Sequence, residues 1–99
     1  MTLEELKAST RGGVAPSAAG KPLQALWHDA KGDWEKAHAC VQSDTSREAA
    51  WVHAYLHRKE GDVSNAAYWY SQAGREAPGV SINEEWESIA QALLNMIEE

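Results

Sequence analysis

Residues 53–74 read HAYLHRKEGDVSNAAYWYSQAG, and the fold turns on the Gly61-Asp62 pair inside them. Before the pair, Trp51 and Tyr55 recur at helical spacing. The charged run that follows ends in a glycine, the residue that most readily takes the left-handed conformation closing a helix. Asp62 then offers a carboxylate to the unpaired amides of a second helix. Ala66, Tyr70 and Ala73 mark one face of that helix, and Gly74 ends it. Two helices joined through so short a turn run antiparallel, and the small side chain of Ala66 lets their backbones approach.

Working outward, the same punctuation stands 29 residues earlier at Gly32-Asp33. Superposing the two turns pairs Trp27 with Leu56, His28 with His57, Ala37 with Ala66 and Val41 with Tyr70. Such self-similarity marks a repeat of one helix-turn-helix unit. The first copy is predicted as helices over 23–31 and 33–42. Thr45-Ser46-Arg47-Glu48 reads as a capping box opening the first helix of the second copy, which runs to Glu60. A last helix starts around Ser81, again with Ser81-x-x-Glu84, and sets Ile82, Trp86, Ile89, Leu93 and Ile97 on one stripe, widened by Ala90 and Leu94. At the other end, Thr2-x-x-Glu5 caps a short helix within residues 1–9. Residues 10–22, TRGGVAPSAAGKP, read as a flexible linker, and residues 23–99 as a single helical domain. The linker is no phosphate-binding loop: Gly13 and Gly20 are too far apart, and Pro22 stands where a hydroxyl residue would hold magnesium.

With 99 residues the chain has room for one core and no second domain. Its formal charge is −6, and its nine lysines and arginines are scattered, so it lacks the basic stripe from which nucleic-acid affinity comes. The opening MTLEELKAST is acidic and leads into no apolar core of a signal peptide, and no run reaches membrane-spanning length. The expectation is a cytoplasmic protein that engages neither nucleic acid nor membrane. The lone Cys40 has no intrachain partner and reads as a structural thiol in a reducing compartment.

Gly61, Ala66, Tyr70, Ala73 and Pro78 fall at the spacings of the second-helix signature of tetratricopeptide repeats, and AAYWYSQAG resembles the second helix of a Sel1-like repeat. The resemblance covers roughly residues 47–79. HAYLHRKEGD followed by NAAYWY is also similar to small stand-alone bacterial proteins of unassigned function. It implies an all-α fold of antiparallel helix hairpins of tetratricopeptide-like type with a capping C-terminal helix. It also implies a non-enzymatic scaffold for a protein or peptide partner, with no cofactor. In such repeats the first helix lines the ligand surface, which carries partner contacts onto Glu48, Trp51, Tyr55 and Arg58. The last three also share a stripe at i, i+4 and i+7. The chain departs from the pattern at His53 and His57, where the family has large apolar or aromatic residues, and only the second copy is a full repeat. Free-standing arrays need about three repeats, so the C-terminal helix, or a second copy in a homodimer, is expected to cover the open end.

His53 and His57 are also the candidate metal ligands. At i and i+4 on one helix, two imidazoles can share one ion, with His28 or His38 as a third donor. No glutamate lies between them, which sets the pair apart from the zinc-protease motif. Five tryptophans and three tyrosines with no phenylalanine give a core whose rings all carry polar atoms in need of partners. Trp34, Trp69 and Trp86 are predicted to point inward. Tyr68, Trp69 and Tyr70 are consecutive, so at least one must reach the surface. Glu84, Glu85 and Glu87 read as a solvated helix face. No serine, cysteine or histidine stands in a nucleophile-elbow context.

Overall fold

In a computed structural model, which describes residues 1–16 and 20–98, the chain is all-α, with no strand among the described residues. Its helices are α1 (Leu3–Ser9), α2 (Gly20–Ala30), α3 (Trp34–Val41), α4 (Arg47–Glu60), α5 (Val63–Ala73) and α6 (Ile82–Glu98). α2 and α3 form one hairpin and α4 and α5 a second, and α3 packs on α4, so the hairpins stack in chain order. The Cα radius of gyration of 12.3 Å is that of one packed domain, against about 13 Å expected for 100 residues.

The two hairpin turns are the same structure. Gly32 and Gly61 both take left-handed backbone, at φ +83° and +89°. Asp33 N–H donates to His28 O at 3.0 Å and Asp62 N–H to His57 O at 2.9 Å, which satisfies carbonyls that the ending helix leaves free. Each aspartate then caps the following helix, Asp33 accepting from Lys36 N and Asp62 from Asn65 N. A side chain at either glycine would have ample room, so the constraint there is the left-handed backbone, which costs an L-residue about 1–2 kcal/mol.

Three boundaries differ from expectation. α2 begins at Gly20, so Lys21 and Pro22 belong to the helix and not to the linker; a proline in the first turn loses no hydrogen bond, because the amide there has no partner. Of the expected linker, residues 17–19 lie outside the described residues. Arg11 and Gly12 extend α1 by tight turns onto Ala8 O and Ser9 O, and Lys31 donates to Gly12 O at 2.7 Å. The N-cap of α4 is Ser46, not Thr45. Its hydroxyl accepts from Ala49 N, and Asp44 accepts the Ser46 N–H at 2.9 Å, the bond a capping-box glutamate would have made. The box at Thr2 and Glu5 forms as read.

Leu6 of α1 is fully buried together with Leu23, Leu26, Val41, Val52, Leu56 and Ile89. Each such side chain contributes about 1.5–3 kcal/mol of transfer free energy. α6 lies across α2 and α4 with Trp86, Ile89, Ala90, Leu93 and Leu94 inward, and Trp86 Nε1 donates to Leu26 O at 3.0 Å. Ile97, expected on the same stripe, stands 47 % exposed past the end of the core. Glu85 is buried, contrary to the solvated face expected of it. It accepts from Arg58 Nη1 at 2.8 Å and from Tyr70 OH at 2.5 Å. Asp29 is buried in the same manner, accepting from Tyr55 OH at 2.7 Å and Lys59 Nζ at 2.8 Å. The polar tips of Tyr55 and Tyr70 thus find carboxylates inside the bundle, as a buried phenol requires. Burial and those carboxylates push both phenols well above their ordinary range.

Candidate metal centre

Stacking the second helix of one hairpin on the first helix of the next brings His38 of α3 over His53 and His57 of α4. One ring nitrogen from each of the three lies within 4.8 Å of the others. His38 Nε2 and His53 Nε2 are 3.1 Å apart. Tetrahedral coordination at about 2.0–2.1 Å from a metal requires donor atoms about 3.3 Å apart, so this pair already stands at ligand separation. Of the two candidates for a third donor, the structure selects His38. His28 turns away and packs edge-on against Trp27, with ring centroids 5.2 Å apart.

The rings are held by aromatic neighbours. His38 stacks on Trp34 with centroids 4.9 Å apart, and Trp34 Nε1 is tied to Leu56 O at 2.9 Å. His53 stacks on Trp69 of α5 at 4.0 Å and 14°. Trp34 and Trp69 are thus walls of the site, each half-buried, while Trp86 is in the core and Tyr68 is the member of its triplet that reaches solvent.

The remaining hydrogen bonds orient His57. Glu60 Oε2 lies 2.6 Å from His57 Nδ1. A carboxylate only accepts, so Nδ1 carries a hydrogen, and Nε2 is the ring atom left to coordinate a metal. Asn65 Nδ2 sits 3.4 Å from that Nε2. The carboxylate–imidazole arrangement is the one that orients and strengthens histidine ligands of metals. His53 and His38 are kept neutral. Burial, with the neighbouring imidazoles, pushes His53 down to about 4, and burial followed by His57 lowers His38. Neutral imidazole is the form that binds metal. His53 Nδ1, the ring nitrogen that does not face His38, is buried with no hydrogen-bond partner among the described residues. An unmatched buried polar atom costs about 1–3 kcal/mol.

The residues expected to contact a partner do not share one surface. Tyr55 is buried against Asp29, and Arg58 is taken up by Glu85 and Val80 O beneath α6. Glu48 and Trp51 remain half-exposed, beside a shallow groove with Ala92 and Met96. The Arg75 guanidinium lies 3.4 Å over the Trp51 ring. Cys40 is half-buried, and burial pushes its thiol up, which suits a structural role.

Sequence reasoning did not single out Glu60, Asn65 or Trp69 for the site. Glu60 was open to it, three residues after His57 and therefore on the same helix face. Asn65 and Trp69 depend on how α5 folds back. Comparison with protein-family models, with curated proteins and with solved structures returned no match for this chain.

Proposed function

We propose that this protein binds one divalent transition-metal ion through His38, His53 and His57, between its two helix hairpins. The observation that carries this reading is the convergence of three imidazole nitrogens from two helices, with His57 backed by Glu60. Three nitrogen donors suit zinc, copper, nickel or cobalt and not the oxygen-seeking magnesium or calcium. Purified full-length protein incubated with zinc and freed of excess should retain one equivalent by elemental analysis. The His53→Ala/His57→Ala double variant, shown by circular dichroism to be helical, should retain none. Failure of the wild type to hold zinc, or an undiminished equivalent in the double variant, refutes the reading.

A second reading, a tetratricopeptide-like scaffold for a peptide partner, is favoured by the Trp51–Arg75 stack above the groove that Glu48 borders. An aromatic ring and a guanidinium are the residue types that dominate binding hot spots. Its contacts would be Glu48, Trp51 and Arg75. Trp51→Ala, first shown to be folded because Trp51 also packs on the core, should weaken a captured partner at least about tenfold if that stack is a hot spot, and unchanged affinity would remove the surface from consideration.

A further inference from the structure

We propose that the three-histidine centre is an open one, in which an exogenous ligand, water or a small anion, completes the coordination sphere and is hydrogen-bonded by the Asn65 amide. This inference rests on the metal-binding reading above. Among the described residues no fourth histidine, cysteine or carboxylate joins the cluster. Glu60 is within the same neighbourhood, but its carboxylate is committed to His57 Nδ1, the side of the ring that faces away from the ligand atom. The group that does stand at the ligand atom is an amide: Asn65 Nδ2, 3.4 Å from His57 Nε2. Once a metal takes the Nε2 lone pair, that N–H has lost its acceptor. The nearest acceptor it can regain is whatever occupies the remaining position on the ion. A tetrahedral ion with three protein donors and one exchangeable position is the arrangement of zinc centres that bind small molecules, in contrast to closed structural sites.

Access follows from the walls. His53 and His57 are buried, while His38 is half-exposed and forms the side of the site facing solvent. Trp34 and Trp69 stack on His38 and His53, so a ring covers one face of each of these imidazoles. A position on a cation beside an amide donor takes a ligand atom that is negatively charged or strongly dipolar and able to accept from an N–H.

Cobalt(II) in place of the native ion makes the test optical, because its visible absorption reports the number and type of ligands. Full-length protein loaded with one equivalent of cobalt(II) should show a spectrum that shifts saturably when sodium azide is added. In Asn65→Ala, cobalt should still bind at one equivalent, but azide should bind about tenfold more weakly, the effect of one lost hydrogen bond to a charged acceptor. A cobalt spectrum indifferent to azide overturns the open position and leaves the three-histidine reading standing. Loss of cobalt itself in Asn65→Ala also overturns it, since the amide oxygen would then be the fourth ligand. Absence of cobalt binding in the wild type refutes both inferences.

Discussion

Removing the Arg58 guanidinium is the perturbation for which the structure gives the sharpest expectation. Arg58 was a candidate binding residue by its spacing with Trp51 and Tyr55, yet it spends its charge inside the molecule. Nη1 reaches Glu85 at 2.8 Å, Nη2 donates to Val80 O, and the Glu85 side chain is 3 % exposed. Truncating one partner of a buried pair costs about 3–5 kcal/mol, because the other charge is left in a poor solvent. Two features pull Arg58→Ala toward the lower end. Arg58 is itself 25 % exposed, so water can enter where it stood, and Tyr70 keeps donating to Glu85. The expected loss is about 3 kcal/mol. Lys59→Ala makes the comparison. Lys59 is 41 % exposed, and its partner Asp29 lines an open surface cavity with Lys7, Thr10 and Asn83, so water can replace the ammonium. Asp29 is itself 3 % exposed, so the loss should exceed that of an exposed pair and stay below that of Arg58→Ala, at about 1–2 kcal/mol. Urea unfolding of the two variants beside the wild type measures both values. A cost in Arg58→Ala no larger than in Lys59→Ala would refute the claim that α6 is pinned to α4 by a desolvated ion pair.

Ala66, buried against Ala54 and Tyr70 where α5 meets α4, should tolerate no larger side chain. Ala66→Leu is expected to cost about 1–3 kcal/mol in thermal or urea unfolding, and wild-type stability would mean the two helices are not in close contact there. Metal-free protein should lose stability in acid through His53. Its folded value, about 4, lies below the ordinary 6.5, so between those pH values the unfolded chain binds the extra proton. The contribution is therefore full above pH 6.5 and falls as pH drops toward 4, by on the order of 3 kcal/mol. His38, His57 and, behind His57, Glu60 are the titratable groups facing it. Thermal unfolding of chelator-treated protein at pH 7, 5.5 and 4 should show the decline, and an equal decline in His53→Gln would assign it elsewhere. Glu60→Gln should weaken zinc about 10- to 100-fold in competition with a chromophoric chelator, and unaltered affinity would exclude Glu60 from orienting His57.

The helices were legible where their ends are chemically marked. Thr2 with Glu5, Asp33, Asp62, Gly61 and Gly74 each satisfy or close a helix terminus through residues within a few positions, so local sequence suffices. The start of α2 was obscured because Gly20 and Pro22 read as breakers, although a proline in a first turn is no obstacle. What could not be read is non-local. The spacing of Trp51, Tyr55 and Arg58 does place them on one stripe, but α6, far along the chain, covers its C-terminal half and supplies Glu85 to receive Arg58 and Tyr70. Whether His28 or His38 joins His53 and His57 likewise depends on which face of α3 meets α4, and no period within either helix decides that.

The repeat itself explains why the site forms where it does. Twenty-nine residues before His53, His57 and Glu60 stand Gln24, His28 and Lys31, so the first copy lacks one imidazole and has a cation in place of the orienting carboxylate. Lys31 instead bonds to Gly12 O and lies over the Trp27 ring, tying the N-terminal turn to α2. His38 in turn corresponds to Ala67 in the second copy, and Ala67 is exposed, with no hairpin among the described residues stacked on that face of α5. Val63 and Tyr68 are exposed as well. Neither hairpin alone holds three donors. The duplicated caps and packing residues build the scaffold, and the differences between the copies place the second helix of one against the first helix of the other with three imidazoles between them. The three imidazoles therefore belong to the junction between the hairpins and to neither hairpin alone.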